Sequence, residues 1–191
     1  GYYKSGPKGG PNQFPCIGSV IARVRGPNVP SLPAYVAVPS TMRNGRAAYL
    51  GQACNPFEAA GDPNSDKFEV PNLQLSGNVS IERLNDRRNL LTTLDARRNL
   101  QDLEGATRAV DDFSQQAFEL VYGSRARTAF DISQETDKIR DRYGRNTVGQ
   151  SMLLARRLVE AGVTCVTVRS TGWDDHNKIA EGLTKHAPPY D

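Results

Sequence analysis

The residues whose types and spacing could perform chemistry are concentrated in one segment, Gly172-Trp173-Asp174-Asp175-His176. Side chains two residues apart in an extended backbone project to the same side, so Asp174 would lie beside His176. Zinc and manganese sites commonly combine a carboxylate oxygen with an imidazole nitrogen. We therefore predict that Asp174 and His176 hold a divalent metal ion, which could be zinc, manganese or calcium. The alternative interpretation is a polar loop in which the aspartate caps the next helix and the histidine faces water.

No catalytic residue is identified in the rest of the chain. Cys165 lies in a run of β-branched residues and is predicted to be a small core side chain rather than a nucleophile. His186 lies in a proline-containing segment, residues 185–189, that is predicted to be an exposed loop without a role. The glycines of residues 9–11 do not lead from a strand into a helix, so they do not form a phosphate-binding loop.

A helix, a glycine and a strand precede the metal motif and would position it. Residues 147–150, Thr-Val-Gly-Gln, have the pattern of a capping box, which predicts a helix that starts there and ends at Gly162. The β-branched residues 163–168 then predict a strand. A helix followed by a strand is the second half of a βαβ unit, and it indicates a mostly parallel sheet covered by helices. Such sheets bind ligands beyond the carboxyl ends of their strands, where Asp174 and His176 would lie. The apolar face of this helix is predicted to comprise Val148, Met152, Ala155 and Val159, widened by Leu154 and Leu158.

The remaining sequence divides into two stretches within one incomplete α/β domain that spans residues 1–191. Residues 1–79 contain ten of the twelve prolines and are predicted to be rich in loops, with a short helix at 18–25 and one strand at 34–38. Residues 80–145 contain no proline and show helical periodicity, so they are predicted to be a helical insertion. Residues 146–191 are the helix–strand unit that ends in the Asp-x-His loop. The buried face of the insertion is predicted to comprise Val110, Phe113, Ala117 and Leu120.

Charge and hydropathy exclude two classes of partner. The net charge is +3, and residues 80–145, where arginine pairs occur, carry twelve basic and twelve acidic side chains. Nucleic-acid binding depends on an unbalanced basic surface, so no nucleic-acid partner is predicted. No run of about 20 apolar residues is present, so no membrane span is predicted.

Several segments, taken in order, carry a resemblance to one family. They include Gly18-Ser19-Val20-Ile21-Ala22-Arg23, Tyr35-Val36-Ala37-Val38-Pro39, Gly61-Asp62-Pro63-Asn64, Arg142-Tyr143-Gly144, residues 153–163 and Gly172-Trp173-Asp174-Asp175-His176. In these segments the sequence resembles, nearly from end to end, the bacterial family called domain of unknown function 1501, which is abundant in planctomycetes and similar to the sulfatase and alkaline-phosphatase superfamily.

This resemblance implies a fold and a function. The fold would be a partial α/β domain of the alkaline-phosphatase or sulfatase type. The intact protein would be a metal-dependent hydrolase of small phosphate or sulfate esters, or else a non-catalytic envelope or binding protein that keeps the fold. The nucleophile and further metal ligands would come from segments of the same protein before residue 1 and after residue 191. The location typical of the family implies that the protein is periplasmic or in the cell envelope.

Overall fold

The computed structural model of the chain describes residues 13–70, 73, 86, 124–173 and 176–190. Within these residues the protein has an α/β architecture built on three parallel strands, β1 (Tyr35–Val38), β2 (Phe57–Glu58) and β3 (Cys165–Val168). The order of the strands in the sheet is β2-β1-β3, so β1 is the central strand. This arrangement confirms the predicted α/β class and the parallel pairing of the strand before the metal motif.

Helices cover both faces of this sheet. Because successive side chains of a strand point to opposite faces, Tyr35 and Thr167 lie on one face and Val36 and Val168 on the other. The helix Ile17–Arg25, which is α1, packs on the first face, and the helix Thr147–Ala161, which is α4, packs on the second. The helices in the described residues are α1 (Ile17–Arg25), α2 (Ser124–Phe130), α3 (Asp137–Arg142), α4 (Thr147–Ala161) and α5 (Ile179–Tyr190), with single-turn 3₁₀ helices at Ala48–Leu50, Gln52–Cys54 and Ile132–Gln134.

The hydrophobic core lies between α4 and the sheet. The rings of Phe57 on β2 and Phe130 on α2 also meet there, with their centroids 5.5 Å apart. These contacts bury apolar area from helices and strands far apart in sequence, which is the main favourable contribution to folding. The fully buried side chains of this core include Leu32, Val36, Val38, Leu153, Leu154 and Leu158.

Several predicted elements are confirmed. The predicted helix at 18–25 is α1, and the predicted strand at 34–38 is β1. Gly162 ends α4 with a φ of 114°, a left-handed conformation that favours glycine, and its N–H donates to the carbonyl oxygen of Leu158. The domain boundaries stay a prediction. Most of the predicted insertion, including Val110, Phe113, Ala117 and Leu120, lies outside the described residues.

α4 begins at Thr147, as predicted, but the predicted capping box is wrong. The N-cap is Asn146, whose Oδ1 accepts a hydrogen bond of 2.9 Å from the N–H of Gly149. The Thr147 hydroxyl instead donates to Oδ2 of Asp62 at 3.1 Å. Gln150 is fully buried, and its Nε2 donates to the carbonyl oxygens of residues 140 and 144 at 2.9 and 2.7 Å. The glutamine thus satisfies carbonyl groups of the preceding segment and not the amides of its own helix.

The predicted apolar face of α4 is also partly wrong. Met152 and Val159 are exposed, whereas the buried face includes Gln150 and Ser151. These polar residues are tolerated there because they form hydrogen bonds, such as the bond of 2.6 Å from the Ser151 hydroxyl to the carbonyl oxygen of Thr147. Because polar residues occupy part of the buried face, the positions of the apolar residues alone do not identify that face correctly.

A buried ion-pair cluster attaches the α2–α3 connection to α4. Oε1 of Glu135, whose side chain is only 8% exposed, lies 2.9 Å from Nη2 of Arg156 and 2.7 Å from Nη1 of Arg157. Arg157 also donates to the carbonyl oxygen of Thr128 in α2 at 2.8 Å. Burial alone would raise the pKa of Glu135, but the hydrogen bonds from Arg157 and Arg156 outweigh it and hold the pKa below its usual value.

We predict that Glu135→Gln lowers the free energy of unfolding by about 3 kcal/mol at neutral pH, because it leaves two guanidinium groups without their buried counter-charge. The difference in the free energy of unfolding between the wild type and Glu135→Gln should disappear as the pH falls through the lowered pKa of Glu135, since the carboxylate is then protonated in the folded protein too. Urea denaturation at a series of pH values measures both effects.

Glu160→Gln is the matched control for this experiment. Glu160 also pairs with Arg156, at 3.4 Å, but its side chain is 64% exposed. Exposed pairs contribute little, so we expect a loss of about 0.5 kcal/mol or less. Equal losses in the two variants would contradict the role given to Glu135.

Candidate functional site

The carboxyl end of β3 leads directly into the segment that contains the predicted metal ligands. The indole Nε1 of Trp173 donates to Oγ of Ser170 at 2.9 Å, and the Trp173 ring lies 5.8 Å from the ring of His186. Gly172 has a φ of 94°, and a Cβ at this position would come within 2.7 Å of the His186 ring. Glycine is therefore needed where the loop passes α5. The prediction that His186 lies in an exposed loop is wrong, because this residue belongs to α5 and is half-buried against the loop.

The two predicted metal ligands are placed unequally. His176 is described and is exposed to solvent, whereas Asp174 lies outside the described residues. Their sharing of one metal ion therefore stays a prediction. In the part of the chain that the structure describes, no group of three or more histidine, cysteine, aspartate or glutamate side chains is arranged to hold a metal ion.

A second polar cluster, which we name the β1-edge cluster, lies where β1 and β3 end; it comprises Ser40, Thr41, Arg46, Glu58 and Arg169. The Arg169 Nη1 donates to the Ser40 hydroxyl oxygen at 3.2 Å and lies 3.5 Å from the carbonyl oxygen of Thr41. The Thr41 hydroxyl donates to Oε1 of Glu58, which also faces Nη2 of Arg46 at 3.5 Å. All three strands thus contribute to this edge, where parallel sheets place their ligands.

The β1-edge cluster was not predicted from the sequence. Ser40 and Thr41 could have been noticed, because they follow the predicted β1 at its carboxyl end. Glu58 gave no such signal, since β2 is only two residues long and has no recognisable alternation. Arg169 follows the predicted β3, but its contact with Ser40 depends on the register of two strands distant in sequence.

A third polar cluster lies on the face of the sheet that α1 covers. Cys16 is the N-cap of α1, and its sulfur accepts from the N–H of Ser19 at 3.4 Å and lies 3.8 Å from the hydroxyl of Tyr35. That hydroxyl is 3.1 Å from Oγ1 of Thr167 on β3. Gly18 packs on the Tyr35 ring so closely that a Cβ would meet the ring at 2.4 Å. This cluster fixes the position of α1 against β1 and β3.

Burial governs the ionisation of this third cluster. It raises the pKa of Tyr35 to about 12, and the Thr167 hydrogen bond offsets only part of that effect. Burial also raises the pKa of the Cys165 thiol. A cysteine that remains a thiol at neutral pH is a poor nucleophile, so the structure adds no support for a catalytic role of Cys165.

A parallel sheet with helices on both faces and polar groups at its carboxyl edge defines an α/β protein with a candidate ligand site at the strand ends. The sequence profile of one family, described as protein of unknown function (DUF1501), matches residues 2–191, and the chain belongs to this family. No curated protein and no solved structure matches the chain. Across the described ranges, none of the helices combines the length and the apolar character that crossing a membrane requires.

We predict that the stability of the protein falls as the pH rises from about 10 to 12, because an unfolded tyrosine ionises at about 10 whereas folded Tyr35 stays protonated up to about 12. Up to about 3 kcal/mol of stability should be lost relative to Tyr35→Phe. Denaturant unfolding over this pH range measures the difference. Tyr49→Phe is the control, since Tyr49 is 72% exposed and its replacement should keep the wild-type pH dependence. An identical alkaline profile for Tyr35→Phe and the wild type would contradict the assignment.

Proposed function

We propose that the intact protein is a metal-dependent hydrolase of phosphate or sulfate esters, with an alkaline-phosphatase or sulfatase type of fold, and that Asp174 and His176 are metal ligands. The observation that carries the proposal is the convergence of strand ends at one edge. β3 leads into the Asp-x-His segment, and Arg169 links this strand end to Ser40 and Thr41 after β1. The class of activity is the one that the resemblance to the family implies, through the similarity of that family to the sulfatase and alkaline-phosphatase superfamily.

The donor chemistry of the Asp-x-His segment suits a divalent ion. A carboxylate and a neutral imidazole match zinc or manganese, and an aspartate oxygen also suits calcium. Glu58, on the same sheet edge, is already engaged by Thr41 and Arg46, so it is assigned no ligand role. Further ligands and the nucleophile are assigned to segments beyond the 191 residues, as the resemblance implies.

In this proposal the metal ion and the residues of the chain make different contributions. A bound metal ion would supply polarisation of the ester oxygen and stabilisation of developing charge. The chain itself would hold the ligand loop in place, because Trp173 is hydrogen-bonded to Ser170 and its ring lies beside the ring of His186. Such positioning matters, since a loosely held ligand loses much of its effect on a reacting group.

Metal content and ester hydrolysis test the proposal separately. We expect the longer protein, with its neighbouring segments present, to retain zinc or manganese after dialysis, as measured by elemental analysis, whereas the 191-residue chain, with two of the ligands, should bind the metal weakly. Asp174→Asn and His176→Gln should each weaken metal binding by about tenfold or more. In the longer protein, with its neighbouring segments present, the same changes should lower hydrolysis of aryl phosphate or aryl sulfate by about 100-fold.

Glu181→Gln is the control variant. Glu181 is an exposed carboxylate in α5, 3.2 Å from Lys178, so its replacement should change neither measurement. Metal retention that is unaffected by Asp174→Asn and His176→Gln would refute the ligand assignment. Metal binding without turnover of either ester in the longer protein would instead favour the non-catalytic envelope or binding protein.

A further inference from the structure

We propose that Arg169 and Ser40 form an oxyanion-binding subsite that takes the phosphate or sulfate group of the substrate; this inference rests on the proposed function and specifies its substrate contacts. The backbone N–H of Arg169 donates to the carbonyl oxygen of Val38 at 2.8 Å. This bond extends the β1–β3 pairing one residue beyond β3. The backbone of Arg169 is therefore held at the sheet edge, beside the segment that leads to His176, and its guanidinium group extends from this position.

The contacts of Arg169 leave its charge uncompensated among the described residues. Its Nη1 meets two neutral oxygens, the hydroxyl of Ser40 and the carbonyl of Thr41. Four other arginines of the described residues instead meet carboxylates; they are Arg46, Arg145, Arg156 and Arg157. The remaining N–H groups of the exposed Arg169 fork can therefore bind a tetrahedral anion, for which the planar guanidinium is well suited.

The two hydroxyls beside Arg169 differ in what they can offer an anion. The Thr41 hydroxyl donates its hydrogen to Glu58, so this hydrogen is already committed. Ser40 accepts from Arg169, and its own hydrogen has no acceptor among the described residues. Ser40 can thus donate to the same oxyanion that Arg169 binds. The Glu58 carboxylate, the negative group of the cluster, is itself contacted by Thr41 and Arg46, which limits its repulsion of the anion.

Calorimetric titration of the 191-residue chain with inorganic phosphate and with sulfate tests this subsite, at about 0.1 M salt to limit unspecific binding. Arg169→Met should weaken anion binding by about tenfold or more, because it removes the charge and the fork. Arg169→Lys keeps the charge and loses the fork, so it should lose less. Ser40→Ala should weaken binding by a few-fold, the effect of one hydrogen bond.

A control variant separates this subsite from general effects. Arg142→Met removes an exposed arginine of α3, away from the β1-edge cluster. It should leave anion binding within about twofold of the wild type. Circular dichroism establishes that each variant is folded. If Arg169→Met is unfolded, Arg169→Lys and Ser40→Ala decide the outcome.

The possible results distinguish this inference from the proposed function. If Arg169→Met binds phosphate and sulfate as the wild type does, or if the wild type binds neither anion, the subsite is refuted, whatever the metal content. If anion binding depends on Arg169 but the longer protein retains no metal, the subsite stands and the metal-dependent function fails. If both hold, Arg169→Met should keep the full metal content, because Arg169 acts on the anion and not on the metal ion.

Discussion

The parallel pairing of β1 with β3 is the contact on which the rest of the structure depends. It joins Tyr35 to Cys165 and Val38 to Val168, although these partners lie near opposite ends of the chain. The pairing brings the two strand ends to one edge, and it creates the surface on which α4 closes the core. Closing so long a loop is entropically costly, and the burial of apolar area between α4 and the sheet offsets that cost.

The fold could be predicted from sequence where the signals are local. A β-branched run identified β3, a short apolar run before Pro39 identified β1, and glycine at position 162 marked the end of α4 because its left-handed φ disfavours other residues. The N-cap was misassigned, since Asn146 and Thr147 are adjacent and both residue types commonly cap helices, while the Thr147 hydroxyl bonds to Asp62, a partner distant in sequence. The burial of Gln150 likewise depends on carbonyl groups supplied by another segment. Sequence periodicity contains no information about such partners.

The candidate site, too, could be predicted from the sequence only in part. Asp174 and His176 could be proposed from the sequence because the two residue types and their spacing are sufficient to suggest metal chemistry. The β1-edge cluster could not, since serine, threonine and arginine are common surface residues and acquire meaning only when strand register brings them together. Arg169 and Ser40 illustrate this point, because 129 residues separate them in the chain and 3.2 Å separate their polar atoms. The strand ends thus carry more polar groups that could bind a ligand than the Asp-x-His segment alone indicates.

The close approach of Gly18 to the Tyr35 ring has an evolutionary consequence. A methyl group at position 18 would overlap the ring, so positions 18 and 35 are not free to change independently. A relative with alanine or a larger residue at position 18 should carry a smaller residue than tyrosine at position 35, and would then lose the hydroxyl that meets Thr167. Correlated substitution at these two positions would be the mark that this helix–strand contact leaves in the history of the family.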